Sequence, residues 1–289
     1  KVYNGQEQSV SGFTGAPERA DFSAIQVGAK GTNAGEYPAA FAKGTIGTVD
    51  KTEKYIVKGA TDGKLTIKPV ADEVVVTIEG NHDSKVYDGT EHVVTGYEVT
   101  EISNVLYTKD NFSFSGNAEA KRTAVGKTDM GLTAANFKNE SANFSNVTFK
   151  VTDGYMEITP AGDAVVVTIE GNNASAVYDG AEHKVTGYTV VSISNKLYKE
   201  SDFSFSGTAE AKRTEAGTTY MGLKEEHFKN KNANFSKVIF NVTDGYMEIT
   251  PVADEVVVTI AGNNASAVYD GTEHKVTGYT VVSISNKLY

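Results

Sequence analysis

One seven-residue phrase, Val-Tyr-Asp-Gly-x-Glu-His, occurs three times, at Val86 to His92, Val177 to His183 and Val268 to His274. Its aspartates, Asp88, Asp179 and Asp270, follow one another at intervals of 91 residues. A repeat of that length is a whole small domain, so the chain is a tandem array and not one large fold. A looser copy, Val2-Tyr3-Asn4-Gly5-Gln6-Glu7-Gln8, opens it. The spacing divides the chain into a divergent repeat over residues 1–69 that lacks its first strand, full repeats over 70–160 and 161–251, and a partial repeat over 252–289.

What can hold such units together is bounded by what the chain lacks. There is no cysteine, which removes disulfides, thiolate metal sites and thiol chemistry together and leaves packing and backbone pairing. A net charge of −10 without any cluster of Lys or Arg argues against nucleic acid or anionic lipid as a partner, since both need a positive field. No run approaches the roughly 20 apolar residues that cross a bilayer, so no membrane span is expected in this segment. The sequence starts and stops inside a repeat and reads as an excerpt of a longer chain. The alternative is that a neighbouring molecule donates the missing strands.

Within each repeat the pattern is that of short strands. Val165, Val167 and Ile169 alternate with Val166, Thr168 and Glu170, and β-branched residues favour a pleated chain. His183, Val185 and Gly187 begin a second strand that Tyr188 to Ile193 is expected to continue. Phe203 and Phe205, like Phe112 and Phe114, alternate with serines. Met247 and Ile249, like Met156 and Ile158, are expected to face inward. Asp-Gly at 62–63, 153–154 and 244–245 reads as the tight turn of a closing hairpin, joining Tyr55-Ile56-Val57 to Leu65-Thr66-Ile67 in the first copy. Lys224 to Phe228, with acids in its first turn, and its counterpart Thr133 to Phe137 suggest one short helix per unit. The fold class expected is mainly β: a linear tandem array of small β-sandwich or β-grasp-like domains, each with one short helix. About three residues separate Pro160 from the next valines, so the units should stack end to end with little hinge motion, each advancing the axis by roughly 30 to 45 Å.

Several residue groups invite chemistry. The motif joins an aromatic, a carboxylate and an imidazole, but a core tyrosine followed by an Asp-Gly turn accounts for it, and His92, His183 and His274 lie a domain apart with no second histidine at ligand spacing. Glu225-Glu226-His227 is Ala134-Ala135-Asn136 one repeat earlier, as a solvated turn allows. Lys121-Arg122 and Lys212-Arg213 read as edge charges that discourage strand-to-strand aggregation, or as a seat for an acidic ligand. No oxygen-dense calcium loop is present, and no Lys–Asn pair is marked for an isopeptide crosslink. Neither catalytic nor metal-binding residues are expected, no cofactor is implied, and the sequence leaves any binding residue unknown.

The motif around Tyr87, Tyr178 and Tyr269, the Ala216-Gly217-Thr218 step, Met-Gly-Leu at Met130 and Met221, and the closing Val-Thr-Asp-Gly-Tyr-Met-Glu-Ile-Thr-Pro together resemble the Tyr-Asp-Gly (YDG) and related MBG-type repeats of bacterial cell-surface adhesin-like proteins. Residues 1–69 depart from that pattern, with Asn4 in place of the motif aspartate. The resemblance implies an extracellular location, at the bacterial cell surface or secreted, and no catalytic residues. It implies structural spacer or stalk repeats of a surface fibre or adhesin, projecting other domains from the envelope. Their partners are neighbouring repeats of the same longer chain and other copies in a fibre. The competing expectation is a multivalent module for host glycan, mucin or protein, in which repetition supplies avidity.

Overall fold

The computed structural model describes all 289 residues, and it is mainly β, with short strands in sheets of two or three. Two compact units, Lys1–Thr159 and Pro160–Tyr289, divide the chain.

In the first unit the central strand is Val74–Gly80. It pairs in parallel with Val147–Thr152 and antiparallel with Tyr97–Ile102. Val74, Val76 and Ile78 are fully buried, as the period-2 pattern requires, and carry one core together with Tyr107, Phe137 and Phe144. A second three-stranded sheet places Tyr155–Thr159 between Gly126–Asp129, antiparallel, and His82–Val86, parallel. Its inward residues, Met156 and Ile158, pack on Ala120, with Tyr87 and Val94 alongside. In the second unit the same pairings recur 91 residues later. Val165–Gly171 lies between Val238–Thr243 and Tyr188–Ile193, and Tyr246–Thr250 lies between Gly217–Tyr220 and Asn173–Val177. Residues 1–69 form two further strand pairs, Gln8–Ser11 with Gly28–Gly31 and Gly35–Ala39 with Gly63–Ile67, over a core of Val27, Ala29, Ala39, Leu65 and Ile67.

Several sequence expectations are corrected. The expected single helix of each repeat is a three-residue 3-10 turn, Ala134–Asn136 and Glu225–His227, and each repeat has another at Lys109–Asn111 and Glu200–Asp202. The local cause is visible at Asn136, whose Oδ1 accepts from the N–H of Thr133 at 2.8 Å. That closure ends the turn after three residues, and Phe137 enters a strand with its ring buried. His227 does the same work through Nδ1, which accepts from Lys224 N–H at 3.3 Å. A solvated single turn has too few hydrogen bonds to propagate as an α-helix.

The closing Asp-Gly pairs are not hairpin turns. Val147–Thr152 and Tyr155–Thr159 belong to different sheets, so Asp153-Gly154 is a corner between two layers, and Gly154 is not among the positive-φ glycines. A side chain at Gly154 would run into the backbone of Gly80 and Asn81, and one at Gly80 into Gly154. Glycine is needed there for close approach, not for turn geometry. In the first copy Leu65 pairs with Tyr37, while Ile56 bridges to Val49. The expected continuation of one strand from His183 through Ile193 is also divided. Gly187 takes φ +86°, after which Tyr188–Ile193 joins Val165–Gly171 while His183–Thr186 pairs with Glu210–Arg213.

Candidate functional site

The repeated motif is a compact, hydrogen-bonded turn at the end of a strand. His82–Val86 delivers Tyr87 onto the Met156 and Ile158 cluster. Asp88 then turns the chain, its Oδ1 accepting from Thr90 N–H at 2.9 Å and from Thr90 Oγ1 at 2.7 Å. Gly89 sits at φ +80°, a conformation that disfavours any side chain. Four residues after Asp88 the imidazole of His92 closes the loop, with Nε2 at 3.1 Å from both carboxylate oxygens. The same pair forms between His183 and Asp179 at 3.0 Å and between His274 and Asp270 at 2.9 Å. Bonds from the Thr90 backbone and hydroxyl, then His92, hold the Asp88 carboxyl down at about 2. The Ala181 N–H and His183 lower that of Asp179 in the same way.

Hydroxyl, imidazole and carboxylate thus meet at one turn, with Thr90 Oγ1 3.4 Å from His92 Nε2. The geometry is a turn tie. In a nucleophile relay the imidazole stands between hydroxyl and carboxylate, whereas here the hydroxyl donates directly to Asp88. Position 181 is alanine, and the His183–Asp179 pair forms there without a hydroxyl. No group of three or more His, Cys, Asp or Glu is placed to hold a metal ion.

Two further polar residues brace the repeats. Asp153 accepts from Gly131 N–H and Leu132 N–H, each at 2.9 Å, and Asp244 accepts from Gly222 and Leu223 in the same geometry. The Asp-Gly corner is therefore tied to the Met-Gly-Leu segment. Arg122, expected at a strand edge or on an acidic ligand, turns inward and donates to Val125 O, Lys127 O and Thr128 Oγ1, while Lys121 faces outward to Glu119. Arg213 repeats this on Ala216 O and Thr219 Oγ1. The recurrence of Lys-Arg at one place was the available signal, but only the closed turn shows that the guanidinium serves the backbone.

Within Lys1–Thr159 the opening copy meets the next one in detail. The Tyr3 ring packs edge-on against Phe144 at 5.6 Å and touches both hydrophobic clusters. The Leu106 side chain lies over Gly5. Asn143 Oδ1 accepts from Ala34 N–H at 2.7 Å, and its Nδ2 donates to Asn33 Oδ1 at 3.1 Å. Val70 donates its N–H to Asn143 O and accepts from Ser145 N–H, so the linker residue is paired like a strand. The loop that supplies these groups is itself fixed: the Tyr107 hydroxyl lies 3.0 Å from Asn139 Oδ1, and Asn139 Nδ2 donates to Phe144 O at 3.0 Å. Burial, then the nearby Glu140 carboxylate, pushes the Tyr107 phenol up to about 12.

Residues 1–69 also enclose a cavity of about 720 Å³ lined by Phe13, Phe22, Phe41 and Tyr55 among others. In the same copy Asp50, almost fully buried, gathers the N–H groups of Asp21, Thr52, Lys54 and Tyr55. Burial alone would raise its carboxyl, but these bonds and the Thr52 hydroxyl outweigh it and hold the group well below the carboxylate range. Nothing in the sequence around Thr48-Val49-Asp50-Lys51 marked this residue. No family model, curated protein or solved structure matches the chain.

Proposed function

We propose that these residues serve as structural spacer or stalk repeats of a bacterial cell-surface fibre or adhesin. In this proposal they are small β-sandwich or β-grasp-like domains in a linear array, resembling the Tyr-Asp-Gly repeats and holding other domains away from the envelope. The observation that carries it is the joint around Tyr3. One aromatic ring belongs to two hydrophobic clusters, the linker residue Val70 is hydrogen-bonded on both sides, and an asparagine clamps the junction. A junction of that kind resists bending, unlike the Gly/Ser spacers that let domains move as beads. The polar residues of the motif are spent on holding turns, which suits a mechanical element and leaves no nucleophile with a base and an orienting group. Pulling single molecules by their ends tests this. Discrete unfolding steps at sustained force are expected, and the smooth compliance of a disordered chain would reject it.

The cavity among Phe13, Phe41 and Tyr55 favours one competing function, capture of a host glycan or mucin through aromatic surfaces. That function predicts binding on a glycan array that is lost on Tyr55→Ala.

A further inference from the structure

The outer face of one sheet differs between the two whole repeats. In the second unit Tyr246–Thr250 lies between Gly217–Tyr220 and Asn173–Val177, and its inward residues, Met247 and Ile249, are buried with Ala211. Alternation therefore sends Tyr246 and Glu248 outward. Register sets two rows across this face, Tyr220 beside Tyr246 beside Asn173, and Thr218 beside Glu248 beside Ser175. The Tyr220 and Tyr246 rings meet edge to face, with centroids 5.9 Å apart and planes at 65°, and Tyr220 is 64 % exposed. They are two walls of a notch whose next outward neighbour along the central strand is Glu248.

The preceding repeat shows what this position holds. Tyr155 stands where Tyr246 stands, and the Lys127 ammonium lies over its ring, 4.0 Å from the centroid. Asp129 pairs with that ammonium at 3.2 Å, and His82 stacks on the ring at 5.2 Å. The chain itself supplies the cation and its counter-ion. In the second unit the lysine is Thr218, the aspartate is Tyr220 and the histidine is Asn173. The cation is gone, a second aromatic wall is added, and a carboxylate remains at Glu248, as at Glu157. The face is open in both settings: a whole repeat follows residues 70–160 in the sequence, and Lys127 and Asp129 are still more than half exposed.

We propose that Tyr220, Tyr246 and Glu248 form a binding site for a methylated ammonium ion, of which the quaternary headgroup of choline is a simple form. The faces of the two tyrosine rings are negative and attract a cation held within about 6 Å of the centroid. Glu248 supplies the counter-charge that Asp129 gives to Lys127. A quaternary ammonium suits an open notch better than a primary one, because it is weakly hydrated and loses little water on entry, while its methyl groups cover aromatic surface. Anionic ligands are disfavoured by Glu248 and by the net charge of −10. Asn173, whose Oδ1 already accepts from the Tyr246 N–H at 3.0 Å, keeps its amino group to donate to a hydroxyl beside the cation. The site stands on this face alone and is independent of the spacer role.

Titration of tetramethylammonium and of choline into the full chain, followed by the NMR shifts of the tyrosine ring protons, tests the site. Saturable binding at one place per chain is expected, with the bare ammonium ion at least about tenfold weaker. Thr218→Lys with Tyr220→Asp gives this repeat the residues of the preceding one, whose sheet accommodates them, and should abolish binding. The reverse exchange, Lys127→Thr with Asp129→Tyr and His82→Asn, should add a second site to the chain. Binding that survives the first exchange overturns the proposal, and so does a site count that the reverse exchange leaves at one. Ammonium that binds as tightly as tetramethylammonium overturns it too, since a general attraction of cations to an acidic chain would then suffice. Self-association that grows with protein concentration and vanishes in the first exchange would mean that a second copy covers the notch, and it also overturns the site. The pulling trace reports on the spacer role separately, so the two proposals fail independently.

Discussion

Residues 74–107 and 256–289 are nearly the same sequence in two settings. Val74–Gly80 and Val258–Gly262 pair antiparallel with Tyr97–Ile102 and Tyr279–Ile284 in the same register, and both ladders shift at the same place, after Thr77 and after Thr259. Burial separates them. Ile78 is fully buried and Ile260 is 59 % exposed; Tyr107 is 2 % exposed and Tyr289 77 %. The difference lies in elements far along the chain. Val147–Thr152 covers one edge of Val74–Gly80, and Phe137 and Phe144 close the face. Strand pairing and its bulge thus come from local sequence, while the core comes from segments roughly 40 to 75 residues further on.

The sharpest way to break that comparison is to cut the same side chain in both places. Ile78→Ala should cost about 2 to 5 kcal/mol, since a fully buried methyl-rich side chain leaves a cavity. Ile260→Ala should stay within about 0.5 kcal/mol, as surface changes do. Native-state hydrogen exchange, read separately on the amides of each unit, measures both; equal losses would mean that the two strand pairs are packed alike.

Next in size is the brace at the Asp-Gly corner. Asp153→Ala leaves the N–H groups of Gly131 and Leu132 without their carboxylate, and hydrogen bonds to a charged group contribute about 1.5 to 3 kcal/mol. Asp244→Ala should cost about the same, because its partners and distances repeat. Denaturant midpoints that differ widely between the two variants would show that the repeats are not equivalent here.

Alkaline titration addresses the tyrosine at the centre of each core. Tyr107 and Tyr198 are both pushed up to about 12, first by burial and then by a nearby carboxylate. A folded value raised above the unfolded one near 10 contributes stability that is present below pH 10 and lost as pH rises through 12. Tyrosinate absorbance should therefore show a late component that disappears in Tyr107→Phe/Tyr198→Phe. A titration unchanged by that double substitution would place the late phenols elsewhere.

The smallest effect should be the same in both settings. Asp88 is held at about 2 by the Thr90 backbone first, and Asp270 is lowered by Thr272 and His274. A depressed carboxyl contributes stability above its unfolded value near 3.8, and that contribution is lost as pH falls through the folded value. Carboxylate NMR should find both aspartates titrating below the ordinary range, despite the contrast in burial of their neighbouring strands. An ordinary titration of Asp270 alone would show that the turn needs the packed core after all.

What the sequence determined by itself was whatever closes over a few residues or repeats at a fixed interval. The 91-residue spacing, the inward faces of Val165, Val167 and Ile169 and of Met156 and Ile158, and the Asp-Gly turn of the motif were all legible. Each depends on side-chain alternation or on a carboxylate reaching two residues forward. The tertiary structure decided what depends on distant partners. Asp153-Gly154 reads locally as a hairpin, yet it is a corner, because each flanking strand finds better partners elsewhere: Val74–Gly80 for one, and Gly126–Asp129 with His82–Val86 for the other. Arg122 reads as an edge charge until its turn closes around it. Parallel pairing across some 70 residues leaves no mark in a short window of sequence, because the residues that meet lie on strands far apart in the chain and neither strand's local pattern specifies its partner.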